Sequence, residues 1–205
     1  MVTCFINDYA RNVRFLYRST IRVWTGPSEF FELVRTTNHL GIALGLQVLR
    51  WLLHSGVTTA HFVVVNPPAM FPVPFDLDLG LYRSWEVWGF FPFGLGMLGL
   101  IAWVTWRVGR RRAGRPMSLA KTAEVVSLAW FAPWLPTFLT DNLLLSAGWA
   151  IPVVIVPAHT VVVGLEVWMT AVGLQQVFGL SRGPAWRISL AGGLIFMALA
   201  GAVIR

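Results

Sequence analysis

Apolar residues run along this chain in blocks of membrane-spanning length, separated by short stretches rich in Pro, Gly, Arg and Asp. A helix needs about 20 predominantly apolar residues to cross the hydrocarbon core of a bilayer. Five blocks reach that length, at approximately 38–62, 85–106, 123–145, 149–177 and 186–204. The pattern predicts an all-α, polytopic membrane bundle of about five transmembrane helices, occupying 38–205. Ahead of it, 1–37 reads as an arm. Between residues 5 and 24, Arg11, Arg14, Arg18 and Arg22 interrupt any span and fall on one stripe of a helical wheel, with Ile6, Tyr9, Val13, Leu16 and Trp24 opposite. Such a basic amphipathic helix lies in the membrane interface or docks on a partner protein, and the lipid reading is preferred. Pro27 suits the first position of a helix, Glu29 and Glu32 its first turns, and Phe30, Phe31, Leu33 and Val34 give it an apolar face.

Composition removes whole classes of protein. Of 205 residues, 56% are hydrophobic and 12% charged, and the mean hydropathy is +0.66. An ordinary soluble domain is about 45–50% apolar and about 25% charged. A soluble enzyme, a disordered tail and a disulfide-built module are therefore excluded. Cys4, the one cysteine, has no disulfide partner and builds no metal site, and no secretory cleavage pattern surrounds it. The net charge of +7 calls for anionic lipid rather than nucleic acid, because no basic soluble domain exists to carry the latter.

The charges also predict a topology. Arg107, Arg110, Arg111, Arg112, Arg115 and Lys121 follow the second block, and Arg182 and Arg187 border the last. The 66–84 connector holds Asp76, Asp78 and Arg83, and the 142–147 turn has no basic residue. Basic loops thus alternate with the others, placing the N-terminus in the cytoplasm and the C-terminus outside. Trp85 and Trp88 at one end of the second block, and Trp103 and Trp106 at the other, read as aromatic belts. Lys121 is the one lysine among sixteen basic residues. That arginine bias suggests a GC-rich bacterial genome and hence an inner-membrane location.

An ionisable group at bilayer depth costs roughly 2.5–3.5 kcal/mol on insertion scales, so it needs a partner or a purpose. Arg50, His54 and His61 share a stripe of the first span with Gln47, His159 and Glu166 share a face of the fourth, and Asp141 and Asn142 lie near the outer end of the third. Approximate depths put Arg50 and His159 near the middle, Glu166 toward the cytoplasm, and His54 and Asp141 toward the outside. Arg50, His54, Asp141, His159 and Glu166 then read as an interior polar cluster, with Arg50 neutralised by Glu166 or Asp141. The same residues would line a substrate or proton pathway. A third reading is axial ligation of haem or a chlorophyll-type pigment by His54, His61 or His159. Pro133 and Pro136 in the third span and Pro152 and Pro157 in the fourth mark either packing kinks or helices broken around a transport site. The catalytic and metal-binding signatures are absent: no His-Glu-x-x-His, no Gly-x-Ser-x-Gly, no phosphate loop and no Cys/His spacing. No catalytic residue and no metal ligand is assigned, and a non-enzymatic role is expected.

The order of features, from Pro27-Ser28-Glu29-Phe30-Phe31 through Ala129-Trp130-Phe131-Ala132-Pro133 to Gly179-Leu180-Ser181-Arg182-Gly183-Pro184-Ala185, resembles the Yip family of five-span membrane proteins, named for interaction with Ypt/Rab GTPases, and in particular its prokaryotic branch. Pro184 and the arginine-rich arm depart from that pattern. The resemblance implies the topology and carries over no catalytic residue. The leading functional expectation is an accessory or scaffold subunit of a larger membrane assembly, with other integral membrane subunits as partners and Arg11, Arg14, Arg18, Arg22 and Trp24 as its docking surface. A small transporter or channel is the alternative, and a pigment-binding subunit the third.

Overall fold

The structure, a computed structural model, describes residue 15 and residues 17–65, 78–149 and 151–203. All regular structure among them is helical. A π-helical turn, Arg18–Arg22, runs into Val23–Thr25 and leads to α1, Pro27–Thr36. Five long helices follow: α2, Leu40–Val65; α3, Leu79–Gly109; α4, Leu119–Ser146; α5, Pro152–Phe178; and α6, Arg182–Val203. Their limits follow local chemistry. Asp78 Oδ1 accepts the Leu81 N–H at 2.9 Å to cap α3, and Ser118 Oγ accepts the Lys121 N–H at 3.1 Å to cap α4. Each side chain satisfies one of the amide donors left over at a helix start. Pro152 opens α5 and Gly179 closes it with φ 66°, a left-handed turn that favours glycine.

The long helices coincide with the five expected blocks. Among the described residues, α2, α3, 153–178 of α5 and 182–201 of α6 are long and apolar enough to cross a membrane by length and composition. α4 is about 42 Å long at 1.5 Å per residue, but it falls short of that apolarity. The packing explains the difference. α4 is the central pillar of the bundle, against which α2, α3 and α5 pack. From Val125 to Trp134 every residue is buried, so its polar groups meet protein rather than lipid. A sheathed helix does not need the uniform apolarity of a lipid-facing one. The fold is that of a helical membrane bundle.

The described part of the expected arm packs on this bundle. Phe31 and Val34 of α1 are fully buried, Phe30 nearly so, and α1 packs against α5. Val23 is fully buried too, and Phe15 stacks on the His39 ring with centroids 3.7 Å apart. A cationic staple fixes the end of α1. Lys121 Nζ donates to the carbonyls of Val34, at 2.7 Å, and Thr37, and to Glu124 Oε2 at 2.8 Å. Glu124 Oε1 accepts the His39 N–H at 2.9 Å. A lysine on the last carbonyls of a helix also complements its dipole. Of the expected docking residues, Arg22 is exposed and Trp24 packs partly against the core. Arg11, Arg14 and the side chain of Arg18 lie outside the described residues.

The prolines do not break their helices. α4 continues through Pro133 and Pro136, and α5 through Pro157, while Pro152 stands at a helix start. Of the two readings of these prolines, that of helices broken around a site is thereby overturned. In the Pro133 turn, the Ala129 carbonyl loses its usual donor because proline has no N–H. The neighbouring Trp130 carbonyl accepts Arg50 Nη1 at 2.6 Å, and Ser127 O accepts Gln47 Nε2 at 2.7 Å. Side chains of α2 thus brace α4 around its proline. The irregular stretch lies instead in α2, where His54–Thr59 is π-helical.

Candidate functional site

The π-helical stretch His54–Thr59 reads Ser55-Gly56-Val57-Thr58-Thr59 after its histidine, a run of weak helix formers. Thr59 Oγ1 reaches the His54 carbonyl five residues back, at 3.2 Å. A π-helical stretch inside an α-helix widens the turn and shifts the register that follows. Arg50 and His54 precede or begin the shift and face the bundle interior with Thr58, Thr59 and Phe62. His61, expected on the same stripe, is turned away to Asn142, whose Oδ1 is 3.3 Å from His61 Nδ1. Asn142 Nδ2 also donates to Thr58 Oγ1 at 3.0 Å, tying α4 to the π-helical stretch.

These residues border a cavity of about 250 Å³ within the bundle. Arg50 and His54 reach it from α2, Asp141 and Thr137 from α4, and His159 and Glu166 from α5. All five members of the expected polar cluster therefore line one space. α3 adds Glu86, Phe90, Phe93 and Met97, and α6 adds Phe196, Met197, Ala200 and Gly201. Most of the wall is apolar, with a few convergent polar groups, as is usual for small-molecule sites.

Two charged pairs dominate the electrostatics. Arg50 Nη2 and Glu166 Oε1 lie 3.1 Å apart, both almost fully buried. Trp51 and Trp134 flank the guanidinium, with its carbon 5.1 and 5.9 Å from their ring centroids. Both distances are within cation–π range. The second pair is His159 Nε2 and Asp141 Oδ2, 3.1 Å apart. His159 Nδ1 faces the Ile155 carbonyl at 3.0 Å. A carbonyl only accepts, so these partners assign a hydrogen to Nδ1. The His159 side chain is 38% exposed while Asp141 is only 6% exposed. His159 is therefore the exposed member of this pair. Glu166 is held from behind, since its carbonyl accepts Thr170 Oγ1 at 2.7 Å and that oxygen accepts Trp130 Nε1 at 3.1 Å.

The histidines do not suit axial ligation. His159 spends both ring nitrogens on protein acceptors. His54 is wedged between Trp51 and Phe90, at centroid distances of 5.9 and 5.0 Å. His61 stands outside the cavity lining. A volume of about 250 Å³ lies just below the range of about 300–1,000 Å³ for drug-sized ligands, and a tetrapyrrole would have to displace the aromatic walls.

Sequence reasoning missed Glu86, Thr58, Thr59 and Thr137. Glu86 carried a readable signal. It stands between Trp85 and Trp88 and shares the 86–90–93–97 helical face with Phe90, Phe93 and Met97, all four lining the cavity. Thr58 and Thr59 carried none, because the register shift in α2 decides which of them turn inward; Thr137 stands one turn before Asp141 on α4 and shares its face. No protein-family model, curated protein or solved structure matches this chain. Fold and site together define a helical membrane protein with a mostly apolar cavity, bordered by a few ionisable groups, inside its bundle.

Proposed function

We propose that this protein is a small, non-enzymatic membrane transporter whose substrate site is the cavity between α2, α4 and α5. One observation carries the reading: five ionisable groups drawn from three helices, four of them joined in two pairs, all border a single space. A purely structural cluster gains nothing from a neighbouring void, since buried polar groups are stabilised by saturating their partners. Groups kept beside a space serve something that enters it. Orientation belongs to the same proposal. The basic 107–121 loop and the α5–α6 turn meet at one end of the bundle, where Arg115 N–H donates to the Phe178 carbonyl at 3.0 Å. We assign that end to the cytoplasm of a bacterial cell, in keeping with the Yip-type topology suggested by the sequence.

The test is reconstitution into liposomes and counterflow of three labelled small solutes: cationic choline, neutral xylitol and anionic lactate. Protein-dependent movement of at least one solute, lost in Asp141→Asn, is expected. Rates equal to those of protein-free liposomes for all three would remove the proposal.

An accessory-subunit role is the second reading. The outer face of α3 supports it, with Trp85 and Trp88 61% and 83% exposed; either lipid or a partner helix covers such a surface. Stoichiometric recovery of other membrane subunits from native membranes in mild detergent would favour it.

A further inference from the structure

Asp141 and Glu166 are both buried. Asp141 Oδ1 and Glu166 Oε2 have no hydrogen-bond partner among the described residues, and both side chains border the cavity. The rings of Trp51, Phe90, Trp134 and Phe196 border it as well. Carboxylate oxygens beside aromatic faces are the chemistry that recognises an organic ammonium ion. An anion would find one arginine, and both terminal nitrogens of Arg50 are already committed to Glu166 and the Trp130 carbonyl.

Within the transport reading, on which this inference rests, we propose that the cavity takes a small organic ammonium ion at Asp141, in exchange for a proton held between Asp141 and His159. The proton follows from hydrogen-bond valence. His159 Nδ1–H is used on the Ile155 carbonyl. A hydrogen bond between Nε2 and Asp141 Oδ2, at 3.1 Å, therefore needs a second proton, on the imidazole or on the carboxyl group. With it the pair is neutral. Once that proton leaves by way of the cavity that His159 lines, two lone pairs face each other and the carboxylate charge is uncompensated. An ammonium ion in the cavity beside the Asp141 carboxylate restores neutrality: one positive charge enters and one leaves. The other charged or titratable groups facing this pair are Arg50 and His54 on α2, Glu86 on α3 and Glu166 on α5. α6 contributes none to the lining. Arg50 and Glu166 offset each other.

The test is calorimetry on the detergent-purified full chain, with choline and its uncharged isostere 3,3-dimethylbutan-1-ol, in two buffers of different ionisation heat. Choline cannot itself release an ammonium proton, so any proton freed comes from the protein. Expected are about one proton released per choline bound and, on the acid side, an affinity that falls about tenfold per pH unit. The isostere is expected to bind at least about tenfold more weakly, the charge-dependent part of an aromatic–carboxylate site. Asp141→Asn should lose both binding and release, with helicity by circular dichroism and monodispersity as its folding controls. His159→Gln should bind choline without the proton. An isostere as tight as choline, or choline binding with no proton released by the parent protein, overturns the inference. In liposomes, xylitol or lactate crossing while choline does not overturns it and leaves transport standing. No solute crossing overturns both.

Discussion

Two buried charge centres sit on α4, at Glu124 near its start and Asp141 near its end, about 25 Å apart at 1.5 Å per residue. They are built to opposite rules. At Glu124 the accounts are closed. The three protons of the Lys121 ammonium meet three acceptors, and both oxygens of Glu124 are occupied. The centre joins α1 to α4 and lies outside the cavity lining. At Asp141 one oxygen is bonded and the other, buried, is not, and the residue lines a cavity. Saturation marks a structural centre; an unsaturated buried carboxylate beside a space marks a site.

The Arg50–Glu166 pair belongs to the cavity but behaves like the staple when broken. Removing one partner of a buried pair leaves a charge uncompensated, typically at a cost of about 3–5 kcal/mol. Glu166→Gln and Arg50→Met should each lower the melting temperature in detergent by the largest margin of any change considered. The double variant Arg50→Met/Glu166→Leu should recover most of that loss, since both charges are then gone. Neutralising Glu166 alone is for that reason a poor probe of transport.

Lys121→Met comes next. It strands the buried Glu124 and frees two α1 carbonyls, at about 2–3 kcal/mol once the partial exposure of the lysine is discounted. Solute flux per folded molecule should stay at the parent level. Asp141→Asn inverts that result. The asparagine amide can donate to a neutral His159 Nε2 whose Nδ1–H still serves Ile155, so stability should move by under about 1 kcal/mol while flux is lost.

Two glycines give a matched pair of intermediate size. A Cβ at Gly94 would fall within the Trp51 indole beside the cavity, and one at Gly173 would meet Val125 and Phe31 beneath α1. Either alanine should cost about 1–3 kcal/mol by overpacking. Only Gly94→Ala should also lower flux, because Trp51 lines the cavity. The smallest effect belongs to the surface: Arg35→Gln removes the exposed pair with Glu32 and should leave both melting and flux unchanged.

Much of this was legible before any coordinates. An apolar block long enough to span has few alternatives, so all five long helices are marked in the pattern. The five ionisable residues stand out because membrane burial makes each costly, and the cavity gathers all of them. Two things were not legible. Lys121 reads as one more cation of a basic loop, because nothing local announces that its nitrogen meets carbonyls 84 and 87 residues away in the chain. The direction of His61 was misjudged because a straight-helix stripe ignores the π-helical stretch, which sends it to Asn142. The prolines left kinks and breaks both open, and α4 runs on through them with bracing from Gln47 and Arg50.

The contrast between the two centres is tested most directly by measuring solute counterflow and thermal melting together for Asp141→Asn and Lys121→Met. The account predicts crossed results: Asp141→Asn melts like the parent and carries no solute, while Lys121→Met melts earlier and transports normally per folded molecule. Parent-like flux in Asp141→Asn, or equal loss of flux in both, would contradict it.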